Sequence, residues 1–382
     1  MRAMAFELTS DEAALRDRAS DLGRQALADV AARGSPGRVN RPLVRALSEH
    51  GLLGRLFPTR VGGVQDRDVT AMELCLLREG LAQGSVEAET ALAMQGLGGY
   101  PILQAGSAEL VDRWVRRIAE GDAVAAFALT EPEAGSDAGA LQLRADPDDE
   151  DGWRLTGEKT WISNAPDADV YVVFARTTEG AGAKGVTAFV VPGDARGLSG
   201  EPLEVLGDHP IGRLGFDGVR VEANALLGEV DRGFRVAMRT LDLFRPSVGA
   251  FAVGMAQAAL DLAIQHATER RQFGKPLREF QAVSHALAEM ATRTDAARLL
   301  VYRAAAAYDD GRPGVTTTSA MAKLFATETA QFVVDAAIQI HGAVGLESGH
   351  PLEHLYRAVR SPRIYEGTSE IQREVIAREL YR

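Results

Sequence analysis

Arg363-Ile364-Tyr365-Glu366-Gly367-Thr368-Ser369-Glu370-Ile371-Gln372-Arg373 lies close to the carboxyl end, and the organisation of the chain can be read outward from it. Ser369, followed three residues later by Gln372, has the form of a capping box and predicts a helix start with Ser369 as N-cap. Ile371, Val375, Ile376 and Leu380 recur at helical spacing, so the predicted helix runs almost to Arg382. Glu366 then falls in the loop before a helix mouth. Gly367 removes side-chain bulk beside it and lets a ligand approach the backbone. A carboxylate near the positive end of a helix dipole is expected to stay ionised. Such a group suits a general base. An ordinary loop glutamate before a capped helix fits the same residues.

Upstream, the chain keeps a helical period back to Gly233. One helix is predicted over 315–340, with Met321, Leu324, Phe325, Phe332 and Ala336 facing inward. Phe280, Val283, Leu287, Met290, Thr294, Ala297 and Val301 keep three-four spacing, the pattern of a bundle seam. Pro246 suits the first turn of a helix that continues past Phe251, Met255 and Leu262 to about Arg270. Before Gly228 the period changes. Runs at 123–129, 153–156, 160–163, 170–175 and 186–191 are rich in β-branched and aromatic residues, and Gly, Pro and Asp clusters separate them, including an acidic loop over 146–151. This is the pattern of an antiparallel sheet rather than of βαβ units. At the amino end, Thr9 and Glu12 form a capping box ahead of Leu15, Ala19, Leu22, Ala26 and Val30. Gly34-Ser35-Pro36-Gly37 interrupts, and shorter helices are predicted around 42–50, 70–83 and 108–119. The fold class is α+β and multidomain: an N-terminal all-α domain over 1–121, an antiparallel β domain over 122–228 and a C-terminal four-helix bundle over 229–382.

Composition narrows the function. Hydrophobic content of 46% and charged content of 25% are those of a soluble globular protein. A formal charge of −11 argues against a nucleic-acid or anionic-membrane surface. Only four of the 42 basic residues are lysine, at 159, 184, 275 and 323, so an arginine near a motif is weak evidence for a phosphate site. Cys75 is the single cysteine, which excludes a disulfide framework or thiolate metal cluster. No stretch reaches the length of a membrane span and no apolar signal region opens the chain, so the expected location is cytoplasmic. Gly180-Ala181-Gly182-Ala183-Lys184-Gly185 matches the dinucleotide fingerprint in letters, but it lies between two predicted strands with no helix to follow. His350-Pro351-Leu352-Glu353-His354 matches an inverted zinc-protease pattern, but Pro351 puts His350 at or outside the cap and no third ligand is evident. No metal site is expected.

Three stretches suit a ligand. Leu129-Thr130-Glu131-Pro132-Glu133-Ala134-Gly135-Ser136-Asp137 ends a strand, and its hydroxyls, Gly135 and backbone N–H groups suit phosphates or a polar ring edge, or equally a plain turn closed by Pro132. In Lys159-Thr160-Trp161-Ile162-Ser163-Asn164, strand alternation places Trp161 and Ser163 on one face, an indole and a hydroxyl suited to a flat heteroaromatic ring. Arg270-Arg271-Gln272-Phe273-Gly274 reads as a helix end with a cap glycine.

Taken in order, these stretches resemble the acyl-CoA dehydrogenase family, in its short- and medium-chain-like form. The matching motifs are Thr130-Glu131-Pro132-x-Ala134-Gly135-Ser136-Asp137, Lys159-x-Trp161-Ile162-Ser163-Asn164, Arg270-x-x-Phe273-Gly274, Gln339-Ile340-His341-Gly342 and Tyr365 through Arg373, and the resemblance extends from about Phe6 to Leu380. It implies an FAD enzyme that removes the α-proton and β-hydride of an acyl thioester, with the flavin ring held between the β domain and the bundle. By position, Leu129, Thr130, Gly135, Ser136, Trp161, Ile162 and Ser163 would contact the flavin, with the Ser163 hydroxyl near the hydride-accepting nitrogen. Arg270, Phe273, Gln339 and Gly342 would hold a neighbouring subunit's FAD, and Thr368 and Glu370 would touch the cofactor after the base. Ser136, Arg245, Tyr365 and Gly367 would bind substrate, with Glu366 as catalytic base. Implied partners are an acyl-CoA or acyl-carrier thioester, electron-transfer flavoprotein or a similar acceptor, and copies of the chain in a homotetramer or homodimer.

Some positions depart from the family pattern. Phe244 occupies the place where some branches carry the base, which disfavours the isovaleryl-like branch. Ala343 replaces a usual glycine after His341-Gly342, and Glu133 a common glycine in the first motif. Met94 and Gln95 lie on the helix that floors the acyl pocket in relatives, and a bulky Met94 favours short chains. A flavin oxidase or monooxygenase on this fold, or a binding flavoprotein like its DNA-associated relatives, are the alternatives. Glu366 with Arg245 counts against the first, and the −11 charge against the second.

Overall fold

The computed structural model describes residues 7–381; Phe6, where the resemblance begins, and Arg382 lie outside the described residues. The helices before the sheet are α1 (Ser10–Leu22), α2 (Ala28–Ala31), α3 (Arg41–Glu49), α4 (Ala71–Gly84), α5 (Val86–Ala105), α6 (Ala108–Leu110) and α7 (Arg116–Ala119). The strands are β1 (Ala125–Ala128), β2 (Arg144–Asp148), β3 (Gly152–Ser163), β4 (Val170–Arg176), β5 (Val186–Pro192), β6 (Leu198–Pro202), β7 (Ile211–Glu222) and β8 (Leu226–Leu227). Then come α8 (Gly233–Glu269), the short strands β9 (Arg271–Gln272) and β10 (Lys275–Pro276), α9 (Gln281–Asp309), α10 (Val315–His341), α11 (Pro351–Ala358) and α12 (Ser369–Leu380). Helical, β and helical segments follow one another as expected. Two compact units result: one holds the chain up to Ala28, Thr70–Glu89 and Asp242 onward, the other Asp29–Val69 and Thr90–Leu241.

In the sheet-bearing unit the strand order is β6-β7-β3-β2-β4-β5-β8, with β1 paired to β4. Pairing is antiparallel except for β1–β4 and a single β2–β4 contact, which are parallel. β3 joins the two runs that the sequence presents as separate strands. β2 takes up part of the expected acidic loop. Beyond Arg144 it pairs only with β3, so Pro147 sits where its missing N–H is tolerated. β7 escapes sequence reading because Gly212, Gly215 and Gly218 interrupt its pattern. Leu155, Ile162, Tyr171, Val173, Phe189, Val191, Leu214 and Phe216 fill the core on one face of the sheet. α5, which carries Met94 and Gln95 as the resemblance implies, escapes the pattern reading, since Gly96, Gly98, Gly99 and Pro101 count against a helix. Burial of its Leu92, Ala93 and Ile102 outweighs that propensity. Gln95 on this helix is buried and ties it to the sheet: its amide donates to the Ala123 carbonyl at 2.7 Å and accepts from the Ala125 N–H at 2.9 Å.

In the helical unit Thr9 and Glu12 form the expected capping box of α1. A π turn over Gly23–Leu27 then rotates the stripe, burying Leu27 rather than Ala26. α4 is buried from Ala71 to Ala82. The Asp309 carboxylate, at the end of α9, accepts from the first N–H groups of α4, Ala71 at 2.7 Å and Met72 at 3.0 Å. Buried Glu79 accepts from Arg298 Nε at 2.8 Å and Tyr302 Oη at 2.7 Å. Gly254 of α8 faces the same turn so closely that a Cβ there would lie 2.4 Å from the Glu79 carbonyl oxygen.

Four expectations for these helices are corrected. Pro246 lies inside α8 and not in its first turn, and Ser247 Oγ next to it donates to the Phe244 carbonyl at 2.6 Å. α8 is also long and apolar enough to cross a bilayer by length and composition, contrary to the sequence reading, but 72% of its apolar window is buried, as in a core helix. The α9 seam is buried only from Met290 onward, with Val283 and Leu287 half-buried. In α10 the inward face is Ala322, Lys323, Ala326, Thr327, Ala330, Val333, Val334 and Ala337, while Phe325 and Phe332 are exposed. Small side chains let that helix pack closely, which turns its large apolar residues outward.

Candidate active site

The loop ahead of α12 carries the most unusual backbone. Glu366 adopts φ 51° and Gly367 φ 88°, both left-handed. Such a turn strains a glutamate, so its surroundings must hold it. Gln372 Nε2 donates to the Glu366 carbonyl at 3.2 Å and to the Gly367 carbonyl at 2.9 Å, and Lys323 Nζ donates to the Gly367 carbonyl at 2.6 Å. A Cβ at position 367 would lie 2.5 Å from Gln372 Nε2, so only glycine leaves room for the clamp. The cap is one residue earlier than expected: Thr368 Oγ1 accepts from the Ile371 N–H, while Ser369, already helical, donates to Glu328 Oε1 at 2.7 Å. Gln372 serves the loop carbonyls, which explains why its spacing from Ser369 imitates a capping box.

Glu366 Oε2 is buried and has no hydrogen-bond partner. Burial pushes the carboxyl above its ordinary range, against the lowering pull of Arg78, Arg245 and Lys323. The position before a helix mouth is expected to favour the ionised form; burial works against that, and Arg78, Arg245 and Lys323 oppose the burial. Tyr365 is pushed up by burial as well. Arg245 pairs with Asp242 at 3.2 Å, and its Nε is buried without a partner. Phe244 beside it is buried. Sequence reading missed Arg78, which is fully buried, bonds Glu89 and donates to Ser247 Oγ at 2.8 Å. The signal was present: an arginine inside the apolar run Leu76-Leu77-Arg78 needs a buried partner.

In the other unit the two polar stretches are stitched together. Lys159, fully buried, donates to the Leu129 carbonyl at 2.9 Å and to Glu131 Oε1 at 2.7 Å. The Glu131 carboxylate also accepts from the N–H groups of Gln142 and Leu143, and the Thr160 N–H donates to the Thr130 carbonyl at 3.0 Å. Gly135 and Ser136 are exposed on the adjoining turn. Alternation fails at Trp161, which sits at φ 57° where the register of β3 against β7 shifts between Lys159 and Ile162. The premise that Trp161 and Ser163 share a face by simple alternation is thereby lost. The irregularity instead leaves Trp161 53% exposed beside buried Ile162, an open aromatic face at the sheet. Ser163 Oγ lies 2.7 Å from Nε2 of His209, a half-buried residue that sequence reading did not single out. Burial pulls the His209 ring down to about 4, so it is neutral at pH 7.

The remaining predicted positions sit at helix ends in the helical unit. Arg271–Gln272 and Lys275–Pro276 pair as a hairpin whose turn is Phe273 (φ 50°) and Gly274 (φ 82°), so Gly274 is a turn residue rather than a helix cap. Phe273 is 93% exposed. His266 stacks on His341 at 4.2 Å, which sets the end of α8 near Arg270 beside the end of α10. There Gln339 and Gly342 line a cavity of about 430 Å³ together with Ile338 and Tyr356. Glu370 lies on the first turn of α12, and its own backbone N–H and Thr368 hold its carboxyl below the ordinary range. Neither decoy assembles a site: 180–185 is a loop between β4 and β5, His350 caps α11 by accepting from the Leu352 N–H, and His354 faces Glu87 at 2.8 Å.

Family models for the N-terminal, middle and C-terminal domains of acyl-CoA dehydrogenase match residues 9–122, 126–219 and 231–381. Cyclohexane-1-carbonyl-CoA dehydrogenase of Geobacter metallireducens is 38% identical over 347 residues, covering 90% of each chain. Butyryl-CoA dehydrogenase from Megasphaera elsdenii superimposes with TM-score 0.93 at 35% identity, over 99% of this chain and 100% of that one. The FAD complex of PigA gives 0.91 at 28% identity, over 99% of each. Matches that span the chain from its first capped helix to its last place this protein in the acyl-CoA dehydrogenase family, as an FAD-dependent oxidoreductase acting on acyl-CoA.

Proposed function

We propose that this enzyme carries out α,β-dehydrogenation of an acyl thioester with Glu366 as the base that takes the α-proton. The observation that carries the reading is the buried, unpartnered Glu366 Oε2, ringed by Arg78, Arg245 and Lys323. A carboxylate raised by burial is a stronger base than a solvated one, and three cations keep it available in the ionised form. The α-proton would pass to Glu366 Oε. Tyr365 and Gly367 would border the acyl group, and Arg245 and Ser136 would contact the thioester's carrier portion. Phe244 offers no rival proton acceptor.

The residues present fit a flavin. A half-exposed indole at Trp161 offers a stacking surface; Ser163, two residues on, and Thr130, whose carbonyl accepts from the Thr160 N–H, offer hydroxyls. With Leu129, Gly135, Ser136 and Ile162 they would hold the ring, and Thr368 and Glu370 would contact the cofactor from the start of α12. FAD, when bound, supplies the acceptor for the β-hydride. Arg270, exposed Phe273, Gln339 and Gly342 would serve the cofactor of a second copy in a homotetramer or homodimer. An electron-transfer flavoprotein would reoxidise the enzyme. Of Glu366→Gln we expect retained FAD but anaerobic flavin bleaching by acyl-CoAs slowed about 10²–10⁴-fold, the usual contribution of a positioned base. Bleaching at the native rate would assign the proton elsewhere.

A further inference from the structure

Lysine is scarce in this chain, four of 42 basic residues, yet two of the four are fully buried. Lys159 has a carboxylate partner in Glu131. Lys323 has a different kind of partner: its ammonium donates to the Gly367 carbonyl at 2.6 Å. It reaches that atom from a buried face of α10 made mainly of Ala, Thr and Val, with Ser319 and His341 at its ends. The same carbonyl already accepts from Gln372 Nε2 at 2.9 Å. A neutral donor thus satisfies the turn, and a buried cation added to it is costly unless its charge has a use.

We propose that Lys323 is a positioning residue for Glu366, fixing the left-handed Glu366–Gly367 turn and supplying positive field that keeps the Glu366 carboxylate ionised and aimed. The proposal rests on Glu366 being the base. The groups facing Lys323 are Glu366, Glu328 and Glu370, which favour its charge, and Arg245, which opposes it. Those facing Glu366 are Arg78, Arg245 and Lys323, with Tyr365 adjacent in the chain. Burial, partly offset by Glu366, pulls the Lys323 ammonium down to about 8, so its charge is present at pH 7 and disappears as the medium turns alkaline. A guanidinium could not act this way, because it is bulkier and does not lose its proton in this range.

The test is the pH dependence of anaerobic flavin reduction by an acyl-CoA, in the FAD-loaded protein. Native enzyme should show an alkaline decline with a midpoint near pH 8. Lys323→Gln keeps a donor but removes the charge, so Glu366 should become harder to ionise. Its acid limb should move up by about one to three pH units, with a loss of about tenfold per unit below the limb, and the alkaline decline should vanish. Lys323→Met, which removes the donor too, should be slower still. An unmoved acid limb in Lys323→Gln overturns the proposal, even if thermal stability falls. Should neither variant retain FAD, the native profile decides: a flat rate from pH 7 to 10 overturns the proposal and an alkaline decline supports it. Glu366→Gln separates the two readings. If it bleaches normally, the base assignment fails and Lys323's role with it; if it is inactive while Lys323→Gln keeps the native profile, only Lys323 is wrongly assigned.

Discussion

Replacing Lys159 by Met tests how the flavin-side loop is held. Lys159 is 0% exposed and Glu131 6%, so neither charge is relieved by water. The substitution removes the ammonium at 2.7 Å from Glu131 Oε1 and 2.9 Å from the Leu129 carbonyl. Glu131 keeps the N–H groups of Gln142 and Leu143 at 2.5 Å and 2.9 Å, but its charge is no longer compensated. Removing one member of a buried pair costs about 3–5 kcal/mol. Adding Glu131→Gln removes the stranded charge while leaving an acceptor for one N–H, and should recover about 1–3 kcal/mol. The assay is urea unfolding of the FAD-loaded protein, followed by tryptophan fluorescence and flavin release, for native, single and double variants. A single-variant loss under about 1 kcal/mol, with no recovery in the double, would refute the buried-pair argument. The pH dependence adds a sign. Burial pulls Lys159 from its ordinary 10.5 to about 8, against the raising effect of Glu131. Between those values the unfolded chain binds the extra proton, so this group's contribution to stability rises with pH through the window and is lost as pH falls through 8. Lys159→Met should abolish that rise.

Two further predictions concern packing. Gly254→Ala would set a Cβ 2.4 Å from the Glu79 carbonyl oxygen and 2.7 Å from Ala82 Cβ, and the backbone cannot yield cheaply. We expect it to destabilise by about 1–3 kcal/mol despite alanine's better helix propensity, and a raised melting temperature would falsify the close approach. Phe273→Ser changes a side chain that is 93% exposed, so the stability of the isolated chain should stay within about 0.5 kcal/mol. Sedimentation should nevertheless show weakened assembly, with less FAD retained; unchanged values for both would remove the hairpin from any subunit interface.

Much of the candidate site was legible because its residues cluster in short local motifs. Tyr365, Glu366, Gly367 and Thr368 are consecutive, and a carboxylate before a capped helix can be read from spacing alone. Lys323 and Arg78 were not legible as acting on that loop, nor Glu89 and Ser247 as partners of Arg78, because helices distant in sequence bring them together. His209 was hidden for the same reason: it meets Ser163 only because the chain returns beside β3 ahead of β7. Errors in the helices have one source. Periodicity ranks faces by hydrophobicity, but α10 packs by fit, and its small residues win the interior from Phe325 and Phe332.

Sequence by itself determined the order of helical and β segments, the capped start of α1, the approximate extent of α10 and the position of Glu366 before the last helix. These follow from periodicity and local hydrogen bonding, which act over a few residues. Only tertiary structure decided that Trp161 leaves the strand's alternation and that Thr368 rather than Ser369 caps α12. It also decided that three cations distant in sequence act on the Glu366 carboxyl. Desolvation and Coulomb interaction depend on what surrounds a group in space, so a carboxylate's basicity becomes defined only once the chain has folded around it.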